Sequence, residues 1–138
     1  MIPLGDASRR PVNFPIVTTS IIAVNVMVFI CELLGGVAFV TNWSAIPADI
    51  TAGKHGITVL TSMFMHGSWS HILGNMVFLW EFGPELEDAM SPLRYLVFYL
   101  VGGVVAMTTQ VLADPQATVP ALGASGAIAA VMGGFLVT

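Results

Sequence analysis

Three polar residues in an otherwise apolar chain have types and spacing suited to acyl chemistry. Ser125 lies in Gly123-Ala-Ser-Gly126, preceded by Pro120. Glycines at 123 and 126 allow the backbone to come close to a substrate. A serine opening a helix also sits beside free N–H groups that can receive a developing oxyanion. The bland reading of the same residue is an N-capping serine on a small-residue helix. A nucleophile elbow of the Gly-x-Ser-x-Gly kind would need glycine at 127, where this chain has Ala127. His71 and Asn75 are spaced i, i+4 and so share one helix face. They could stabilise an oxyanion, or Asn75 could simply join helices by a hydrogen bond. Zinc is a weaker alternative, because His66 and His71 are five apart, off one helical face, and His-Glu-x-x-His is absent. No metal and no cofactor are expected.

The elements that carry these residues are apolar spans. Of 138 residues 56% are hydrophobic and 9% charged, and the mean hydropathy is +0.87. Soluble domains carry about 25% charged residues, so most of this surface is expected to face lipid. The net charge of −4 and the lack of a basic cluster give no sign of a nucleic-acid partner. The one cysteine, Cys31, excludes a disulfide framework. The sequence predicts a polytopic all-α bundle with helices at about 14–40, 69–88, 93–112 and 124–138, after a cytoplasmic segment 1–13. The first span is too long for a signal-peptide core and is read as retained. Glu32 and Asn25 interrupt it. A charge at that depth is costly, so Glu32 is expected to face protein or an interface.

Basic residues near the span ends set the expected orientation. Arg9, Arg10 and Arg94 fall inside and Lys54 outside, which leaves the 41–68 and 113–123 loops outside and the 84–92 loop inside. His71, Asn75 and Ser125 then enter from the same, outer face. The 41–68 loop, with Trp43, Ile57, Leu60, Met63 and Trp69, is too apolar for a simple connector and reads as an interfacial segment. Two rows of small residues, Ser125/Ala129/Gly133 and Gly126/Ala130/Gly134, allow close helix approach and predict a central position for the fourth span.

Together these stretches resemble the rhomboid family of intramembrane serine proteases. The resemblance rests on Thr61-Ser-Met-Phe-Met-His66-Gly, His71-Ile-Leu-Gly-Asn75-Met, Phe82-Gly-Pro-Glu-Leu-Glu87-Asp, Phe98-Tyr-Leu-Val-Gly-Gly and Gly123-Ala-Ser-Gly-Ala-Ile. It implies a bundle of six core helices, of which four are present, with Ser125 as nucleophile. It also implies that His71 and Asn75 stabilise the oxyanion, with Gly123 and Gly126 shaping the backbone around the nucleophile. Gly83 and Glu87 match a structural motif at the inner end of helix two, and His66 a structural loop position. The family's base is a histidine on the sixth helix. His55, His66 and His71 all precede Ser125, so the missing C-terminal helices of the parent chain are expected partners. The implied activity is hydrolysis of membrane-spanning protein substrates through an acyl-enzyme, without a cofactor, in a lipid bilayer expected to be the cell membrane. A non-catalytic rhomboid-like protein that binds transmembrane clients is the alternative. A transporter or channel subunit would need more ionisable groups along a pathway.

Overall fold

The computed structural model describes residues 13–137, apart from the side chains of Ser125 and of residues 135–137. Expectations for residues 1–12, Arg9 and Arg10 among them, and for Thr138 lie outside the described residues. Six helices follow in order: α1 Ile16–Trp43, α2 Pro47–Thr51, α3 Thr58–Thr61, α4 Trp69–Met90, α5 Pro92–Ala113 and α6 Ser125–Val137, with a 3-10 turn at Ser62–Phe64. The molecule is an all-α bundle.

Helix α1 runs three residues beyond the expected Val40 and is kinked at Gly36, with φ 63° and ψ −149°. Only glycine takes that backbone conformation without steric cost. At its start, the first-turn N–H groups of α1 are capped from another helix. Glu87 Oε2 accepts the Val17 N–H at 2.8 Å, and Oε1 accepts the Thr18 N–H at 2.7 Å and the Thr18 hydroxyl at 2.8 Å. A carboxylate there satisfies orphan donors and complements the positive end of the helix dipole.

Helix α4 begins at a serine cap and ends where Ser91 takes φ 78° and Pro92 starts α5. Proline suits a first helical position, where no N–H is needed. Gly83 in α4 lies so close to Tyr95 and Thr18 that an added Cβ would come within 2.7 Å of the Tyr95 hydroxyl oxygen. That closeness draws α1, α4 and α5 together around a core that includes Ile21, Leu79, Phe82, Leu86, Tyr95 and Tyr99.

Helix α6 packs on α4 and α5, while α1 packs on α4 and α5 as well. Among the described residues, α6 is covered on the side that faces α4 and α5. One row does what such rows allow: Gly126 meets Ala106, Gly102 meets Ala130, and Gly134 meets Leu86. The other row, at Ala129 and Gly133, is exposed. Small side chains state how near a neighbour can come, not whether one does.

Helices α1 and α5 are both long and apolar enough to cross a membrane. Their outward side chains are large and apolar, with Leu34 85%, Val37 83% and Leu93 73% exposed. Continuous apolar faces of this kind suit lipid rather than water. Helix α4 carries Glu81, Glu85, Glu87 and Asp88 toward its C-terminal end.

Between α1 and α4, residues 44–68 fold as short helical pieces tied to the α5–α6 connection. Ala45 and Ala121 form a two-bond antiparallel bridge at 3.1 and 2.6 Å, and the Ala48 N–H donates to the Ala117 carbonyl at 3.0 Å. Met63 from the 3-10 turn fills the space over Gly103 of α5. The segment predicted as interfacial thus forms a strap over one end of the bundle.

Candidate functional site

Ser68 takes an extended conformation and caps α4, its Oγ accepting the His71 N–H at 3.2 Å. Serine is a preferred N-cap for this reason. His71 is the third residue of α4, and Asn75 lies one turn further on the same face; both are half-buried. Fifty-odd residues later the chain returns through Gly123, whose N–H donates to the Ser62 carbonyl at 2.9 Å and whose φ is 124°. A Cβ at Gly123 would come within 2.8 Å of His71 Cε1 and 3.2 Å of Nε2. The His71 imidazole therefore lies directly over the Gly123 backbone, and glycine is required there by both the torsion angle and the space.

Ser125 is the first residue of α6. The Ala124 carbonyl accepts the Ile128 N–H at 3.0 Å, so Ala124 occupies the cap position. The serine falls one place inside the helix, among N–H groups that have no intrahelical acceptor. Gly126 follows in the same turn against Ala106 of α5. The start of α6 and the start of α4 are thus brought to one end of the bundle, with the strap across them. The Glu87 cap of α1 and the α4–α5 turn lie at the other end.

Behind His71 stands His66, 1% exposed, its ring meeting the His71 ring edge to face at 5.1 Å between centroids and 76°. Burial first, and the neighbouring His71 second, lower the His66 pKa to about 4. It is a neutral imidazole under ordinary conditions. Its backbone N–H donates to Glu32 Oε1 of α1 at 2.8 Å. Glu32, expected to face protein, is 7% exposed. Sequence reasoning marked Glu32 by its cost in an apolar helix but had no means of finding its acceptor role. Ser62, whose carbonyl holds Gly123, was missed, because a backbone acceptor leaves no trace in residue type. Phe29, on the same side of α1, meets Trp69 edge to face at 5.0 Å, so α1 contacts the entry to α4 at two points.

The Rhomboid domain family matches residues 54–138. The chain belongs to that family. It is 28% identical over 121 residues to Rhomboid protein 1, mitochondrial, of Saccharomyces cerevisiae, covering 84% of this chain and 34% of that protein. Presenilin-associated rhomboid-like protein A, mitochondrial, of Danio rerio is 30% identical over 118 residues, or 83% of this chain and 30% of that protein. Rhomboid protease GluP of Bacillus subtilis is 29% identical over 113 residues, or 80% and 22%. The chain spans 22–34% of the length of these three relatives. Family and outward apolar helices together make it a membrane protein.

Proposed function

We propose that the protein is an intramembrane serine endopeptidase that cleaves membrane-spanning polypeptides, with Ser125 as nucleophile. One observation carries the reading: the His71 imidazole covers Gly123, two residues before a serine at the N-terminus of α6. In this reading Ser125 Oγ attacks the scissile carbonyl carbon. The negative charge that grows on the carbonyl oxygen is received by the first-turn N–H groups of α6 and by His71 and Asn75. Donors fixed in place before the reaction act mainly on the transition state. Ser125 must lose its proton to a base, and the family pattern puts that base on a histidine C-terminal to it; His55, His66 and His71 all precede it. This segment would therefore supply the nucleophile and the oxyanion groups. The tetrahedral adduct collapses with cleavage of the scissile C–N bond, the amine leaving with the proton that the base took from Ser125. Water then opens the acyl-enzyme, releasing the carboxylic acid and returning a proton to Ser125 Oγ. One protease among the relatives, GluP, supports the reaction class.

The bundle's ends also support an orientation. Arg94, near the start of α5, belongs to the end opposite the candidate site, and Arg9 and Arg10 precede α1. Basic residues favour the cytoplasmic side, which supports a candidate site near the outer face.

A fluorophosphonate probe tests the nucleophile in the full-length protein. Labelling is expected in the parent and lost in Ser125→Ala, together with cleavage of a single-span substrate. Labelling that persists in Ser125→Ala would assign the nucleophile elsewhere. Asn75→Ala is expected to lower kcat by about 10²–10³ with little change in KM.

A further inference from the structure

Among the described residues, the carboxylates of Glu32 and Glu87 are buried between helices, and they differ in what they hold. Glu87 is accounted for by the N-terminus of α1. Glu32, 7% exposed, accepts the backbone N–H of His66, in the short segment before α4, at 2.8 Å. That segment is irregular, so its backbone position depends on such isolated bonds rather than on a helical ladder. Met65 is tied back to Ser62 within the 3-10 turn at 3.2 Å, and the next residue is tied to α1.

The His66 ring makes this bond consequential. It is 1% exposed, and among the described residues neither ring nitrogen has a hydrogen-bond partner. The imidazole is therefore held by packing and by the position of its own backbone. Its ring supports the His71 ring edge to face, and His71 in turn lies on Gly123. A continuous series of contacts thus runs from the α1 carboxylate, through the His66 backbone and ring, to the His71 ring and the backbone entering α6.

We propose that Glu32 is a positioning residue for peptide hydrolysis: it fixes His66, which holds the His71 imidazole at the place where the oxyanion forms. The proposal rests on the reading of Ser125, His71 and Asn75 as the hydrolytic site. Without the Glu32 bond, the 65–68 backbone can move and open space behind His71, and the ring can tilt off Gly123. A donor displaced by about an ångström can lose on the order of 10²-fold in rate. This bond is one of two contacts by which α1 reaches the entry to α4, and it is the one that leads to the His66 and His71 rings.

Two substitutions separate positioning from bulk structure. Glu32→Gln keeps an oxygen acceptor at the same length, and Glu32→Met keeps the length without the acceptor. In the full-length protein purified in detergent, Glu32→Met is expected to lower kcat by about 10- to 100-fold with KM within about twofold of the parent. Glu32→Gln should retain most of kcat. With ring-labelled histidine, the His71 resonances should move in Glu32→Met and stay in Glu32→Gln. If Glu32→Met does not fold, His66→Ala gives the same test, because it removes the supporting ring and leaves the backbone bond. It should lower kcat to a similar extent. Normal kcat and unmoved His71 resonances in the folded fraction of Glu32→Met, or normal kcat in His66→Ala, would overturn the proposal. So would equal impairment of Glu32→Gln and Glu32→Met. Should cleavage survive Ser125→Ala, the hydrolytic reading fails, and the His71 resonances still report whether Glu32 holds that ring.

Discussion

Glu87 of α4 and Thr18 of α1 are joined by two hydrogen bonds, at 2.7 Å to the backbone N–H and 2.8 Å to the hydroxyl, both accepted by Oε1. The carboxylate is 2% exposed and Thr18 fully buried. In lipid the hydrophobic effect gives no preference for one apolar helix over another, so such polar bonds and close van der Waals contacts decide which helices pair. The bond set also explains why α1 starts where it does. Pro15 provides no side-chain cap of its own.

Removal of this carboxylate should therefore act on stability. Glu87→Ala deletes the acceptor for three donors and leaves the two of Thr18 buried. A hydrogen bond to a charged group contributes about 1.5–3 kcal/mol, so the loss is expected to reach about 3 kcal/mol or more. Glu87→Gln, which keeps one oxygen acceptor, should lose about half as much. Thermal unfolding of both variants in the same detergent measures the order, and a Glu87→Ala variant as stable as the parent would contradict it.

Gly123→Ala asks a different question. The new Cβ would come within 2.8 Å of His71 Cε1 at a residue whose φ is 124°. Either the imidazole moves or the backbone twists. Both disturb the approach to α6 while the main core, built on Leu79, Leu86, Tyr95 and Tyr99, is untouched. Under the proposed function, kcat should fall by about 10²-fold, and the melting temperature should drop by no more than a few degrees. Large unfolding with normal turnover in the folded fraction would make Gly123 a purely structural residue.

How much of this was visible in the chain depends on the kind of contact. The all-α bundle was legible, because apolar runs of helical length interrupted by glycine, proline and charge have few other solutions. The shared face of His71 and Asn75 is a matter of helical period alone, and α4 shows it. The meeting of His71 with Gly123 was not legible. It depends on the Ala45–Ala121 bridge and on the Gly123–Ser62 bond, which are backbone contacts between distant residues and carry no compositional signal. Glu32 was marked by its cost, but its acceptor role toward His66 needs the fold of the strap. The glycine and alanine rows of α6 describe the helix surface, and among the described residues the Gly126/Ala130/Gly134 row is the one that meets α4 and α5.

His66 yields a prediction in pH. Burial and His71 lower its folded pKa to about 4 from an ordinary 6.5. Above pH 6.5 the ring is neutral in folded and unfolded chains alike, and its contribution to stability is fully present. Between pH 6.5 and 4 the unfolded chain binds the proton and the folded one does not, so stability falls as pH falls, by on the order of 3 kcal/mol. Below about pH 4 the dependence on this group levels off. His66→Phe keeps a ring against His71 and cannot titrate. The unfolding free energy of the parent minus that of His66→Phe, followed from pH 7 to pH 4, should decline over that window. A flat difference would mean that His66 is protonated as easily in the fold as out of it.

The orientation is open to chemical labelling in intact cells. Thr118 and Ser91 are both exposed and lie at opposite ends of the bundle, Thr118 in the connection paired with the strap and Ser91 at the α4–α5 turn. With Cys31 and any further cysteine of the full-length protein replaced by serine, Thr118→Cys and Ser91→Cys each give a chain with a single thiol. Arg94 lies three residues from Ser91, and basic residues mark the cytoplasmic side. An impermeant maleimide should accordingly modify Thr118→Cys in whole cells and reach Ser91→Cys only after the membrane is opened. Neither position is one of the candidate site residues, so cleavage can be measured in the same cells to show that each variant is folded. The reverse labelling pattern would place the start of α6 on the cytoplasmic side, and substrates would then have to be presented from within the cell.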